Sequence, residues 1–235
     1  MRTRIAGILV TLVLLAGSFA LFQFTELDIQ VQDPLYDFTR QHWVVDKNAS
    51  LPRLLFYTGP KLAIIVFGVG LLLPLICPKR WRSAWGKLPW PTVRAWCVLT
   101  CLVIVPSVIG MMKARSDIYC PWALDRYGGM KPYHHFFDPL PAGLEPDCGK
   151  CFPAGHASGG FALMSLGLLF NTRRGRWLGF SVGMICGWTM GIYQMLKGAH
   201  FLSHTITTML LAVLVIQIVA SGFRLILEKP RSEVF

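Results

Sequence analysis

Six stretches of the chain, near Ile5 to Phe24, Lys61 to Cys77, Val93 to Met112, Ala157 to Phe170, Leu178 to Leu196 and Thr205 to Ile226, are apolar for close to the length that a bilayer demands. A helix that crosses about 30 Å of hydrocarbon needs roughly 20 mainly apolar residues, and its backbone groups must satisfy one another. With 54% hydrophobic and 15% charged residues, and a mean hydropathy of +0.50, the chain lies outside the range of soluble domains. The expected fold is all-α, a polytopic bundle of six transmembrane helices forming one membrane domain over residues 1–235. The fourth stretch is short and Gly-rich at its start. Gly159, Gly160 and Gly167 there permit the close backbone approach by which membrane helices pack.

Charge sets the orientation. Acidic residues outside the C-terminal tail fall in two segments, Glu26 to Asp46 and Asp117 to Asp147, whereas Arg2, Arg4, Lys79 to Arg94, Arg173 to Arg176 and Arg224 to Arg231 lie on the other side. The positive-inside rule then makes both termini cytoplasmic and the long loops, 25–60 and 113–156, periplasmic. The net charge of +11 reads as a topology signal, and no soluble basic face offers itself to nucleic acid. The first apolar run reaches about twenty residues and lacks a clean A-x-A site, which favours a retained span over a cleaved signal peptide.

Of the seven cysteines, Cys97, Cys101 and Cys186 fall within spans, Cys77 at a cytoplasmic end, and Cys120, Cys148 and Cys151 in the second outer loop. An oxidising compartment favours a disulfide among the last three, with the pairing open. A zinc site from these cysteines with His134 or His135 lacks a fourth ligand at finger-like spacing. In the first outer loop, Leu35, Phe38, Trp43 and Val44 read as a short amphipathic helix at the interface. Trp81, Trp85 and Trp90 read as interfacial anchors. Tyr127, Tyr133, His134 and His135 read either as a lid at the outer face or as loop packing against the interface.

Three segments carry groups suited to phosphate chemistry, and all reach the outer face. Lys113 and Arg115, beyond the third span, supply fixed positive charge. Pro153-Ala154-Gly155-His156 precedes the fourth span, where free N–H groups of a helix start favour an anion and a histidine can move a proton. Between the last two spans, Tyr193-Gln194 leads to Lys197, His200 and His204. Two imidazoles four residues apart share a helical face, where they bind a metal or fix one another's tautomer.

In order and spacing these segments resemble the signatures of the type 2 phosphatidic acid phosphatase superfamily of membrane lipid phosphatases, K-x6-R-P, P-S-G-H and S-R-x5-H-x3-D. The counterparts are Lys113-x6-Cys120-Pro121, Pro153-Ala154-Gly155-His156 and Tyr193-Gln194-x5-His200-x3-His204. The likeness covers residues 93–226, a phosphatase-like core. It departs from the pattern where Cys120 and Gln194 replace arginines, Ala154 replaces serine and His204 replaces aspartate.

The resemblance implies a membrane-embedded lipid phosphatase of a bacterial inner membrane with a periplasmic-face site. In it His200 is the nucleophile that forms a phosphohistidine, His156 the general acid and base, and His204 the group that orients the nucleophile; with histidine in place of a carboxylate, either the nucleophile is less basic or His204 is oriented in turn by Asp117 or Asp125. Lys113, Arg115, Ala154, Gly155, Gln194 and Lys197 would hold the substrate, with Arg115 and Lys197 replacing the lost arginines. No metal or other cofactor is expected, and the partners are the bilayer and a lipid phosphate: phosphatidic acid, phosphatidylglycerol phosphate, a polyprenyl pyrophosphate or a phosphorylated glycolipid. Alternatives are metal-assisted hydrolysis at His156, His200 and His204 with an aspartate, lipid phosphotransfer, or a non-catalytic phospholipid-binding descendant. A transporter fits less well, since there is no inverted repeat.

Overall fold

The computed structural model describes residues 2–77, 91–139 and 149–228, so that Trp81, Trp85, Trp90 and Cys148 lie outside the described residues. Helices dominate. An apolar helix, α1 (Arg2–Gln23), is followed by the short α2 (Leu27–Gln32). Next, α3 (Ser50–Arg53) runs through a π turn, Leu54–Thr58, into α4 (Gly59–Ile76). Proline has no N–H to close the regular ladder, so Pro60 accounts for the wider turn. Beyond it come α5 (Thr92–Ala114), α6 (Gly155–Ala162), α7 (Arg173–Leu196) and α8 (Leu202–Glu228).

Four of these segments are long and apolar enough to cross a membrane: Ile5–Gln23, Ser50–Ile76, Thr92–Ala114 and Leu202–Phe223. Their outward residues are apolar as lipid requires, for example Val13 on α1 and Val66 on α4. The other two expected stretches are helical but different in kind. α7 has 24 residues with three arginines in its first turn. α6 has eight residues and passes into a 3₁₀ stretch, Leu163–Leu169. At about 1.5 Å per α residue and about 2.0 Å per 3₁₀ residue, those 15 residues rise roughly 26 Å.

Small residues decide how α7 packs on this segment. A Cβ on Gly160 would lie 2.6 Å from the Gly187 nitrogen, and one on Gly179 would lie 2.5 Å from the Gly167 nitrogen. Gly167 is equally confined, at 2.7 Å from the Arg176 carbonyl oxygen. Gly159 meets only ordinary contact, 3.6 Å from Ile64, so close approach there does not require glycine. A core of Val105, Ala154, Phe161, Met164 and Ala212 joins α5, α6 and α8 beneath the outer face.

The first outer loop departs from the amphipathic helix expected of it. Asp33–Leu35 form a 3₁₀ turn, and Tyr36–Asp37 (β1) pair antiparallel with His42–Trp43 (β2). The Asp37 carboxylate accepts from the Thr39 and Arg40 N–H groups, and Gln41 takes φ 53°, so local side-chain bonds close a turn in place of a helix. This hairpin reaches the α7–α8 junction: Val45 N–H donates to the Leu196 carbonyl, and Trp43 lies over Gly198, whose φ is 70°.

The glycine contacts predict a steep cost for bulk at the α6–α7 seam. Gly187→Leu, which forces a side chain into the Phe161 ring, should destabilise the protein by about 1–3 kcal/mol or more, read as a lowered unfolding midpoint in detergent. Gly17→Leu, on an open face of α1, should leave the midpoint unchanged.

Candidate active site

The three motif segments meet beyond the ends of α5, α7 and α8. Lys113 stands in the last turn of α5, and the chain then runs to Cys120, which is disulfide-bonded to Cys151. The Lys150 and Cys151 N–H groups donate to the carbonyls of Ser116 and Ile118, so the first motif is strapped to the second by backbone bonds as well as by the disulfide. The second is tied to the third in turn. Ala154 N–H donates to the His204 carbonyl, and the Thr208 hydroxyl donates to the same carbonyl at 2.8 Å.

His200 lies on the turn between α7 and α8, 2% exposed, with its Nδ1 3.3 Å from the Nδ1 of His204 and 3.6 Å from the Cys151 sulfur. Burial, reinforced by His204, Lys113, His156 and Lys197, holds the His200 pKa well below the ordinary imidazole range, so the ring is neutral. His156, just before the apolar run of α6, accepts or donates through Nε2 at 2.7 Å from the Tyr57 hydroxyl, and its buried Nδ1 has no partner. Burial and the nearby Lys113, Lys197 and Lys61 lower its pKa to about 4. The His156 and His200 rings stand 6.4 Å apart, centre to centre.

Both face a pocket of about 220 Å³ whose walls carry Lys47, Arg53, Lys113 and Lys197 and, among the described residues, no carboxylate. Lys197 lies 5.1 Å from the centre of the Tyr57 ring and 5.0 Å from that of Tyr193, a cation held between two aromatic faces. Its pKa is lowered, first by burial and then by Arg53. Gln194, 2% exposed, also lines the pocket, and its Nε2 has no partner. Gly155 brings its backbone beside Lys113, since a Cβ there would stand 3.8 Å from the ammonium nitrogen. Such a site is shaped for an anion.

Some expected residues stand elsewhere. Arg115 is exposed and does not line the pocket; Arg53 does. Ala154 is fully buried in the core beneath. His204 packs on Phe152 and Phe201 and bonds to the Cys151 backbone rather than to Asp117 or Asp125; the Asp125 carboxylate accepts from Arg126 N–H on an exposed turn. Tyr127, Tyr133, His134 and His135 pack loops together away from the pocket: Tyr127 donates to Asp33, Tyr133 meets Phe201 edge to face, His134 meets Tyr119 likewise, and His135 meets Asp138. With Cys120 and Cys151 joined to each other, these histidines do not meet them. Lys47, Arg53 and Tyr57 come from the first outer segment, which carries no phosphate motif. The four-residue spacing of Arg53 and Tyr57, placing cation and ring on one helical face, was the available signal.

A family model described as the PAP2 superfamily matches residues 94–226, more than half of the chain. The chain belongs to the PAP2 superfamily. Members are phosphatases, often acting on lipid phosphates, so a phosphoester hydrolase of the membrane is the activity of the class. No curated protein and no solved structure matches the chain significantly.

One buttress of the site lies outside the matched residues. Asp28 on α2 accepts from the Ser203 N–H at 2.8 Å and bonds to the Leu202 N–H and the Ser203 hydroxyl, capping α8 from another part of the chain. Burial outweighs these bonds and raises the Asp28 pKa to about 6 from 3.8. A carboxyl with a raised folded pKa stabilises most below its unfolded pKa, and the contribution is lost as pH rises through the folded value. Between pH 4 and pH 7.5, wild type should therefore lose up to roughly 3 kcal/mol of stability relative to Asp28→Asn. Parallel thermal midpoints of the two proteins across that range would contradict it.

Proposed function

We propose that this protein is a six-span lipid phosphatase that removes a phosphate at the outer face of a bacterial inner membrane through a phosphohistidine. The observation that carries the reading is one pocket in which two neutral histidines face four cations and, among the described residues, no carboxylate. The Cys120–Cys151 disulfide beside it fits an oxidising compartment and supports the periplasmic assignment, with both termini cytoplasmic. Charge alone would also suit a soluble phosphate; the position of the pocket at the ends of apolar helices favours a lipid headgroup.

The imidazoles of His200 and His204, meeting Nδ1 to Nδ1, share one hydrogen. When His200 donates it, His204 accepts and the His200 Nε2 keeps the lone pair that attacks phosphorus. The P–N bond forms as the P–O bond to the lipid breaks, and His156 gives its proton to the departing oxygen. His156 then takes a proton from water, which attacks the phosphohistidine, releases phosphate and restores His200. In the free site burial, and after it the nearby lysines, keep His156 unprotonated; a bound anion offsets the lysines and raises its affinity for the proton. Lys113, Lys197 and Arg53 surround the equatorial oxygens, and the orphan Gln194 amide donates a further bond. His204 accepts a hydrogen bond but carries no charge, so the nucleophile is oriented without the electrostatic help a carboxylate gives.

Phosphate release from a panel of phosphatidic acid, phosphatidylglycerol phosphate, polyprenyl pyrophosphate and a phosphorylated glycolipid tests the reading. Activity should survive EDTA and fall by at least about a thousandfold in His200→Ala and in His156→Ala. Loss on chelation with recovery on adding metal would select metal assistance, and binding without release from any lipid would select a non-catalytic descendant. Arg53→Ala and Lys197→Ala should each lower kcat/KM by about ten- to a thousandfold, against little change for Arg115→Ala. Equal effects of all three would remove Arg53 and Lys197 from the pocket's chemistry.

A further inference from the structure

We propose that reduction of the Cys120–Cys151 disulfide turns the floor of the catalytic pocket into a two-cysteine, two-histidine site for a soft divalent cation of the zinc class, which takes His200 out of catalysis. Among the described residues, Cys151, His200 and His204 each offer one ligand atom, all within 4.8 Å of one another and all buried. The fourth donor is Cys120, whose sulfur is bonded to that of Cys151 and which lines the pocket.

Two of the spacings match a tetrahedral ion. With metal–nitrogen bonds of about 2.0–2.1 Å and metal–sulfur bonds of about 2.3 Å, a tetrahedron places its nitrogens about 3.3 Å apart and nitrogen about 3.6 Å from sulfur. The His200–His204 nitrogens are 3.3 Å apart, and the His200 nitrogen is 3.6 Å from the Cys151 sulfur.

In the disulfide form the same place repels a cation. Its donors are uncharged, a disulfide sulfur is a poor ligand, and Lys113 and Lys197 stand nearby. Reduction by a dithiol transfers two electrons and two protons to the pair, giving two thiols and the oxidised dithiol. Metal binding then releases the two thiol protons, and two thiolates offset the charge of the ion. Occupied, the site holds the imidazole pair that attack on phosphorus requires.

Cobalt(II) added to the full chain in detergent reads the site directly, because thiolate ligation gives charge-transfer bands and tetrahedral geometry gives strong visible bands. A phosphine that carries no thiol serves as reductant, its phosphorus taking oxygen from water as the disulfide takes up two hydrogens. About one equivalent should bind after reduction and none before, with zinc displacing it. Cys120→Ser, which leaves Cys151 as a free thiol, should bind cobalt without reductant. His204→Gln should weaken binding by at least about tenfold, whereas Cys148→Ser should leave it intact. Absence of the thiolate spectrum in folded, reduced protein, the same spectrum in oxidised protein, or undiminished binding in His204→Gln would overturn the proposal. The inhibition alone rests on the proposed phosphatase reading, and zinc should abolish phosphate release only from reduced protein. Cobalt bound as described to a protein that releases no phosphate in either state would refute the phosphatase reading and leave the metal site standing.

Discussion

A histidine buried at the rim of a membrane bundle must find a partner for each polar ring atom, and the His200–His204 pair is how this chain meets that demand. Among the described residues, neither ring has a carboxylate partner. Each partly satisfies the other, and the Cys151 backbone completes the set for His204. The pair works only if three separate pieces of chain hold still around it: the end of α5, the start of α6 and the start of α8. The disulfide, the 116–118 to 150–151 backbone bonds, and the Thr208 and Asp28 contacts to the start of α8 are the ties that hold them.

The division of labour along the chain follows from this. Residues 94–226, the superfamily core, bring both pocket histidines, Lys113 and Lys197. The segment before it brings Lys47, Arg53 and Tyr57 to the same pocket, caps α8 with Asp28, and supports the last turn of α7 through the bond from Gln32 to the Met195 carbonyl. Two of the four cations that line the pocket, Lys47 and Arg53, thus come from a part of the chain outside the matched core.

Hydropathy made the membrane class and the main helices readable, because long apolar runs have few alternatives in a bilayer. The motif spacing likewise made Lys113, His156, Lys197 and His200 legible as neighbours, since each lies at the end of a span on one face. Arg53 was hard to read, because an arginine near a span end looks the same whether it anchors the helix or lines a pocket, and only its four-residue spacing to Tyr57 pointed to the pocket. The hairpin at Tyr36–Trp43 was misread because its apolar spacing fits an amphipathic helix, and the Asp37 side-chain bonds and Gln41 backbone that decide the matter leave only a faint mark in composition. Cys120–Cys151 was one of three pairings that spacing allowed, and only the approach of residues 116–118 to 150–151 selects it.

The α6 segment and its 3₁₀ continuation cover in fifteen residues a distance for which a pure α-helix needs more. A hydropathy window tuned to α-helical rise will pass over such a segment, and α7, with its basic first turn, is easily lost with it. The two are consecutive and form one hairpin, so losing both preserves parity: the start of α6, the end of α7 and the start of α8 stay on the same side of the membrane in either count. Only the turn at Arg173–Arg176 changes sides, and its three arginines oppose the move. The sidedness of His156 and His200 is therefore a more robust property of this architecture than the number of its spans.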